Sequence, residues 1–142
     1  MNKPARYLLD TNILSETRKS RPNEGVISFI EAAKTSDLFL SALTIGELAK
    51  GVEMKGRTDP ILAAQIGTWL SGIEQMFADR VLPVDALVAR QWGELSADRS
   101  RPVIDTLIAA TAVAHGLTLV TRNEVYIRGI ELAVVNPWKP AA

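Results

Sequence analysis

Short apolar runs closed by polar or acidic residues alternate along this chain with helix-length stretches, and that alternation admits few folds. Tyr7–Leu9, Leu38–Leu40, Val81–Val84, Leu117–Val120 and Leu132–Val135 read as strands. The stretches between them carry apolar residues at helical spacing, as in Ile45, Leu48, Ala49 and Val52, which lie at i, i+3, i+4 and i+7. Strands separated by helices form βαβ crossovers, since parallel neighbours cannot be joined by a tight hairpin. The expectation is an α/β fold, with a mostly parallel central sheet and helices on both faces.

Cap residues place the boundaries. Asp10, Thr11 and Asn12 follow the first strand and suit a helix start. Gly25 to Lys34 carries Val26, Ile27, Ile30 and Ala33 at helical spacing, and Thr44 to Lys55 forms the next helix. Asp59 and Pro60 supply a cap and a first-turn proline for a helix running through Trp69 and Ile73 towards Phe77. The segment from Thr44 to Phe77 should be a helical hairpin arm. Pro83 puts its strand at an edge of the sheet, and Asp85 caps a helix carrying Leu87, Val88, Trp92 and Leu95. Val103 to His115 is nearly continuous in apolar and small residues, with Gly116 where a C-terminal cap belongs, and should be central and buried.

At 142 residues with 47% hydrophobic side chains, one domain over 1–142 is expected. No repeat or linker is visible. The absence of cysteine excludes disulfides and thiolate metal sites. Sixteen basic and sixteen acidic residues cancel, so the overall field argues neither for nor against nucleic acid. The apolar run in MNKPARYLLD is too short for a signal core. LIAATAVAHGLTLV, broken by His115 and Gly116, falls short of the ~20 residues of a spanning helix. A soluble, cytoplasmic protein without membrane contact is expected.

The chemistry lies in three carboxylates. Asp10 ends YLLD, Glu47 sits in TIGEL, and Asp105 lies in PVIDTLIAATA. In open α/β sheets ligands sit beyond the carboxyl ends of the strands. Asp10 and the Thr121–Asn123 turn lie there, and Glu47 and Asp105, near helix starts, can face the same crevice. Three converging carboxylates repel unless a hard cation such as Mg²⁺ or Mn²⁺ joins them. The commonest use of such an ion is on phosphate oxygens, so the residues point to a metal-dependent phosphodiesterase.

Each residue also has a local reading. Asp10 can be a helix cap, and Asp105 can complement a helix dipole. Thr44 to Glu47 matches a capping box, the favoured reading of Glu47 from the residues alone. His115, at a helix end, is read as a dipole partner without chemistry. Arg122 suits a phosphate contact or a solvated turn equally. Arg18, Lys19 and Arg21 form one basic group, and Lys50, Lys55 and Arg57 another; each can hold an RNA backbone or simply face water. Trp69, Trp92 and Trp138 read as core or interface aromatics.

YLLDTNIL, SALTIGELAKGV, DTLIAATAVAHGLTLVTRN and VVNPW, in that order from Tyr7 to Trp138, together resemble the PIN domain. More narrowly they are similar to VapC-type toxins of type II toxin–antitoxin modules, in the branch that includes FitB. The resemblance implies an α/β/α sandwich and an Mg²⁺- or Mn²⁺-dependent endoribonuclease. It maps the metal-binding acids onto Asp10, Glu47 and Asp105 and the small polar contact residues onto Asn12 and Thr121. The family's fourth acid is missing: relatives have aspartate at the position of Asn123 or of Tyr126. Asn123 can offer a neutral oxygen, and Glu124 substitutes only if the turn bends differently. One tightly held metal is therefore expected rather than two.

The resemblance also implies a small VapB-like antitoxin whose tail covers the crevice, DNA binding only through that antitoxin, and a homodimer. The arm from Thr44 to Phe77 is the expected contact surface. The alternative, suggested by the missing acid, is a weakly active or inactive regulatory subunit acting through an antitoxin–DNA complex. A phosphatase of the haloacid-dehalogenase type wants D-x-D after its first strand, where this chain has Asp10, Thr11 and Asn12. A receiver domain wants a late lysine, which Thr121, Arg122 and Asn123 do not supply.

Overall fold

A computed structural model describes residues 5–140. The start of the N-terminal run read above for a signal core, residues 1–4, lies outside them. Five strands, β1 (Tyr7–Leu9), β2 (Leu38–Ser41), β3 (Val81–Leu82), β4 (Thr118–Val120) and β5 (Val134–Val135), form one sheet in the order β3-β2-β1-β4-β5. Every pairing is parallel, so the sheet is wholly rather than mostly parallel. Six helices connect the strands: α1 (Thr11–Thr17), α2 (Glu24–Ala32), α3 (Ala42–Gly56), α4 (Pro60–Met76), α5 (Ala86–Ser96) and α6 (Val103–His115).

Alternation along the strands sorts the core into two layers. Leu9, Leu38, Leu40 and Val120 face one side and pack with Ile13, Leu14, Val26, Leu48 and Leu70 of α1 to α4. Leu8, Leu117 and Leu119 belong to the other layer, with Ile108, Ala109 and Ala112 of α6. Alanine at 109 and 112 lets that helix lie close on the sheet. Here α6 is the buried central helix its composition implied, and Gly116 closes it at φ 65°, in the left-handed region.

The structure refines the expected boundaries for identifiable reasons. Pairing of β3 stops at Leu82 because Pro83 has no N–H for the ladder, and β3 does lie at the sheet edge. The run expected from Leu132 to Val135 pairs as a strand only at Val134 and Val135, while Leu132 packs into the second core layer. Asn23 caps α2 by accepting the Val26 N–H at 3.2 Å. The third helix starts at Ala42 rather than Thr44 because Ser41 Oγ accepts the Leu43 N–H at 3.0 Å. With the cap at Ser41, Glu47 lies beyond the first turn. The capping-box reading of Thr44 and Glu47 is thereby overturned. The arm exists as α3 packed on α4, leaving Met54, Ile61 and Met76 exposed. No helix among the described residues is long and apolar enough to cross a membrane.

Candidate functional site

The chain leaves β1 for β2 on one side and later returns to place β4 on the other, so the strand order reverses between β1 and β4. A crevice opens at such a switch point beyond the strand ends. Asp10 ends β1 and Thr121 ends β4, and Thr121 Oγ1 donates to Asp10 Oδ2 at 2.7 Å. The other oxygen of Asp10 accepts the Thr11 N–H at 2.7 Å, capping α1. The capping and the site readings of Asp10 are thus compatible. Asn12 Nδ2 lies 3.3 Å from Thr121 Oγ1 and 3.4 Å from Asp10 Oδ2.

Glu47 reaches the same place from α3. The Thr11 hydroxyl donates to its Oε1 at 2.6 Å, and buried Thr44 stands 3.1 Å behind Thr11. Asp105 arrives from the first turn of α6. Asp10, Glu47 and Asp105 line one cleft of about 360 Å³, together with Asn12, Arg122 and Asn123. All six residues expected at a site are therefore near one another: five line the cleft and Thr121 holds Asp10 from beneath. Thr11 and Thr44 were not expected to serve Glu47. Their only sequence signal was a threonine next to Asp10 and another three residues before Glu47, which reads more simply as capping chemistry.

Burial dominates the electrostatics. Asp10 is 7% exposed, and desolvation raises its carboxyl above the ordinary value. The bonds from Thr121 and Thr11 oppose that shift, while the charges of Asp105 and Glu47 add to it. Desolvation and the Glu47 charge raise Asp105 as well. Acids that repel in a polar cleft are a donor set suited to a hard divalent cation. Among the described residues, however, no group of three or more His, Cys, Asp or Glu is arranged to hold a metal ion as it stands. The cleft gathers the acids without assembling them into a ligand set.

Two further acids lie nearby. Glu16, buried in α1, lines the cleft but is committed to Lys19 at 2.8 Å and to the Asn23 N–H at 2.9 Å. The Lys19 ammonium holds its carboxyl below the ordinary range. Glu124 turns away from the cleft, pairs with Lys139 at 2.6 Å and accepts from Asn136 Nδ2 at 3.0 Å. It is not among the residues that line the cleft. Asn123 does line the cleft, and its N–H lies 3.1 Å from Thr121 Oγ1. His115 closes α6 at the end opposite Asp105.

An all-parallel sheet covered by helices on both faces, with acids gathered at its switch point, defines a class of α/β domains. The match of residues 7–129 to the PIN domain gives the class its name, and the chain belongs to that family. It is 37% identical over 142 residues to the VapC ribonuclease Y4jK of Sinorhizobium fredii, covering 94% of this chain and 99% of that protein. It is 34% identical over 138 residues to the toxin FitB of Neisseria gonorrhoeae, covering 92% and 97%. Among solved structures, the FitAB complex bound to a DNA fragment superposes with a TM-score of 0.82 at 31% identity, covering 96% of this chain and 98% of that one. Within the PIN domains the chain is of the VapC/FitB toxin type.

Proposed function

We propose that the protein is an endoribonuclease toxin in which Asp10, Glu47 and Asp105 hold Mg²⁺ or Mn²⁺ against an RNA phosphodiester. The observation that carries this reading is the meeting of the three carboxylates in one cleft at the switch point. The naming of relatives as ribonucleases adds support. When bound, the ion would lower the pKa of a water and offset charge on the phosphoryl oxygens. The chain's own contribution is positioning. Thr121 and the Thr11 N–H fix both oxygens of Asp10, the Thr11 hydroxyl orients Glu47, and Asn12 and Asn123 offer amide groups at the rim.

The partner is proposed to be a VapB-like antitoxin, as the solved toxin–antitoxin complexes suggest, with DNA engaged through it and the exposed face of the α3–α4 arm covered by it or by a second copy. A regulatory subunit with little nuclease activity is the second reading, favoured by an uncharged Asn123 and by the diversion of Glu124 to Lys139.

Incubating antitoxin-free protein with a mixed RNA pool in Mg²⁺, Mn²⁺ or chelator separates the two. Metal-dependent cleavage leaving 5′-phosphate and 3′-hydroxyl ends is expected; no cleavage under any metal selects the regulatory reading. Asn123→Asp restores a charge at the rim and, since ligand charge count tunes affinity, should tighten Mn²⁺ binding by about five- to tenfold in a calorimetric titration.

A further inference from the structure

Four arginines lie over aromatic rings. Arg6 covers Phe39 at 5.6 Å, Arg80 covers Phe77 at 4.8 Å, Arg18 covers Trp69 at 5.4 Å and Arg122 covers Trp138 at 5.2 Å. The first two have structural or remote placements. Arg80 donates to the carbonyls of Thr35, Leu38 and Met76, tying α4 to the loop before β2. Arg6 precedes β1, at the end of the sheet opposite the cleft.

Arg18 and Arg122 are placed differently. Arg122 and Trp138 form part of the wall of the acid cleft. Arg18 and Trp69 line an adjoining hollow of about 360 Å³ that shares Thr11, Ser15 and Glu47 with it. One Arg–Trp pair thus stands in the acid cleft and the other in the hollow that adjoins it at Glu47.

Their charges are also uncommitted. Among the described residues, neither guanidinium makes an ion pair or hydrogen bond. Lys19 is spent on Glu16 and Lys139 on Glu124, while Lys55 in the Arg18 hollow and Lys50 beside Glu47 make no ion pair among the described residues and add positive charge on that side without an aromatic support. Glu16 feels the Arg122 charge but is already held by Lys19 and Asn23. A guanidinium held over an indole is restrained and weakly hydrated, and N–H groups that make no other bond remain for a second partner. A phosphate is the partner that a guanidinium's N–H fork fits.

An acid-lined cleft repels a polyanion and needs cations beside it to accept one. We infer that Arg18 and Arg122 are positioning residues that grip the backbone phosphates flanking the scissile one, so that a single-stranded RNA crosses the cleft from one Arg–Trp stack to the other. This inference rests on the ribonuclease reading for its scissile phosphate but is tested by binding.

The experiment measures anisotropy of a labelled 15-nucleotide single-stranded RNA on Asp10→Asn protein, so that cleavage does not consume the probe. Arg18→Gln and Arg122→Gln should each weaken binding about five- to tenfold near 0.1 M salt and lower the slope of log affinity against log salt by about 0.7. Arg6→Gln should change neither. Lysine at 18 or 122 should keep the salt slope and recover only part of the affinity. With Asp10 intact, the glutamine variants should raise KM and leave kcat within about twofold.

Unchanged affinity and slope in both glutamine variants, or an equal loss in Arg6→Gln, would overturn the inference, as would a loss confined to antitoxin binding. Should a glutamine variant fail to fold, the lysine variant carries the test: full recovery of affinity would refute the fork, and loss of the salt slope would refute the phosphate contact. If Asp10-intact protein cuts no RNA while the arginine variants lose affinity, the nuclease reading fails and the track stands. If it cuts RNA and the variants bind normally, the track fails alone.

Discussion

Asp10→Asn is expected to make the metal-free protein more stable and the enzyme nearly inactive. The carboxyl is buried and its folded-state pKa is raised, first by desolvation and further by Asp105 and Glu47. A raised acid contributes stability that is fully present below its unfolded pKa and lost as pH rises through the folded value. At neutral pH the ionised Asp10 therefore costs stability, and a neutral isostere removes that cost. Asparagine can still accept the Thr11 N–H that caps α1. Its amide meets a Thr121 hydroxyl that already has Asn12 and Asn123 donors beside it, which trims the gain.

The thermal midpoint in chelator at pH 7 should rise by about 2–4 °C, what roughly 1 kcal/mol moves in a chain of this size. The difference should shrink as the pH falls and vanish below about pH 4. Mn²⁺ should raise the midpoint of the parent and not of the variant. Cleavage should fall by about 10²–10³-fold, the scale of loss when one group of a preorganised electrostatic site is removed. A variant that is less stable in chelator would show Asp10 to be structural. One that cleaves at the parental rate with Mn²⁺ would remove it from the site.

The fold was legible because its signals are local and redundant. Helix starts are marked by Asp10, Asp59 and Asp85, each of which caps through its own side chain. The apolar and small residues of α6 leave it no stable place except against the sheet, where it lies. Glu47 was harder. Thr44-x-x-Glu47 fits a capping box in sequence, but Ser41 lies three residues earlier and competes for the same helix start. Which one wins depends on where β2 releases the chain, a tertiary fact. The fate of Glu124 was hidden for a similar reason, since its partners Lys139 and Asn136 come from beyond β5. Sequence spacing also could not reveal that two arginines would find tryptophans from distant segments, one in the acid cleft and one in the hollow beside it.

Gly25→Ala is expected to be the most damaging glycine substitution, although the position is helical and alanine is the better helix former. Gly25 is the second residue of α2, and a Cβ there would lie 2.1 Å from the Pro137 carbonyl oxygen and 3.1 Å from the capping oxygen of Asn23. The first obstacle is backbone and cannot rotate away, so either α2 or the segment after β5 must move. That segment is anchored. The Trp138 N–H bonds Asn136 Oδ1, the indole packs on the first core layer, and Arg122 rests on its ring. Overpacking of this kind typically costs ~1–3 kcal/mol, or roughly 3–10 °C in thermal midpoint. Gly72→Ala is the counterpart, since its Cβ would meet nothing within 4 Å in the interior of α4. It should gain about 0.5–1 kcal/mol. Opposite signs for the two glycines, with a change in tryptophan fluorescence for Gly25→Ala alone, would locate the damage at the seam between α2 and the C-terminal segment. Equal gains would mean that the Pro137 carbonyl is free to move, and with it the wall of the cleft that carries Arg122.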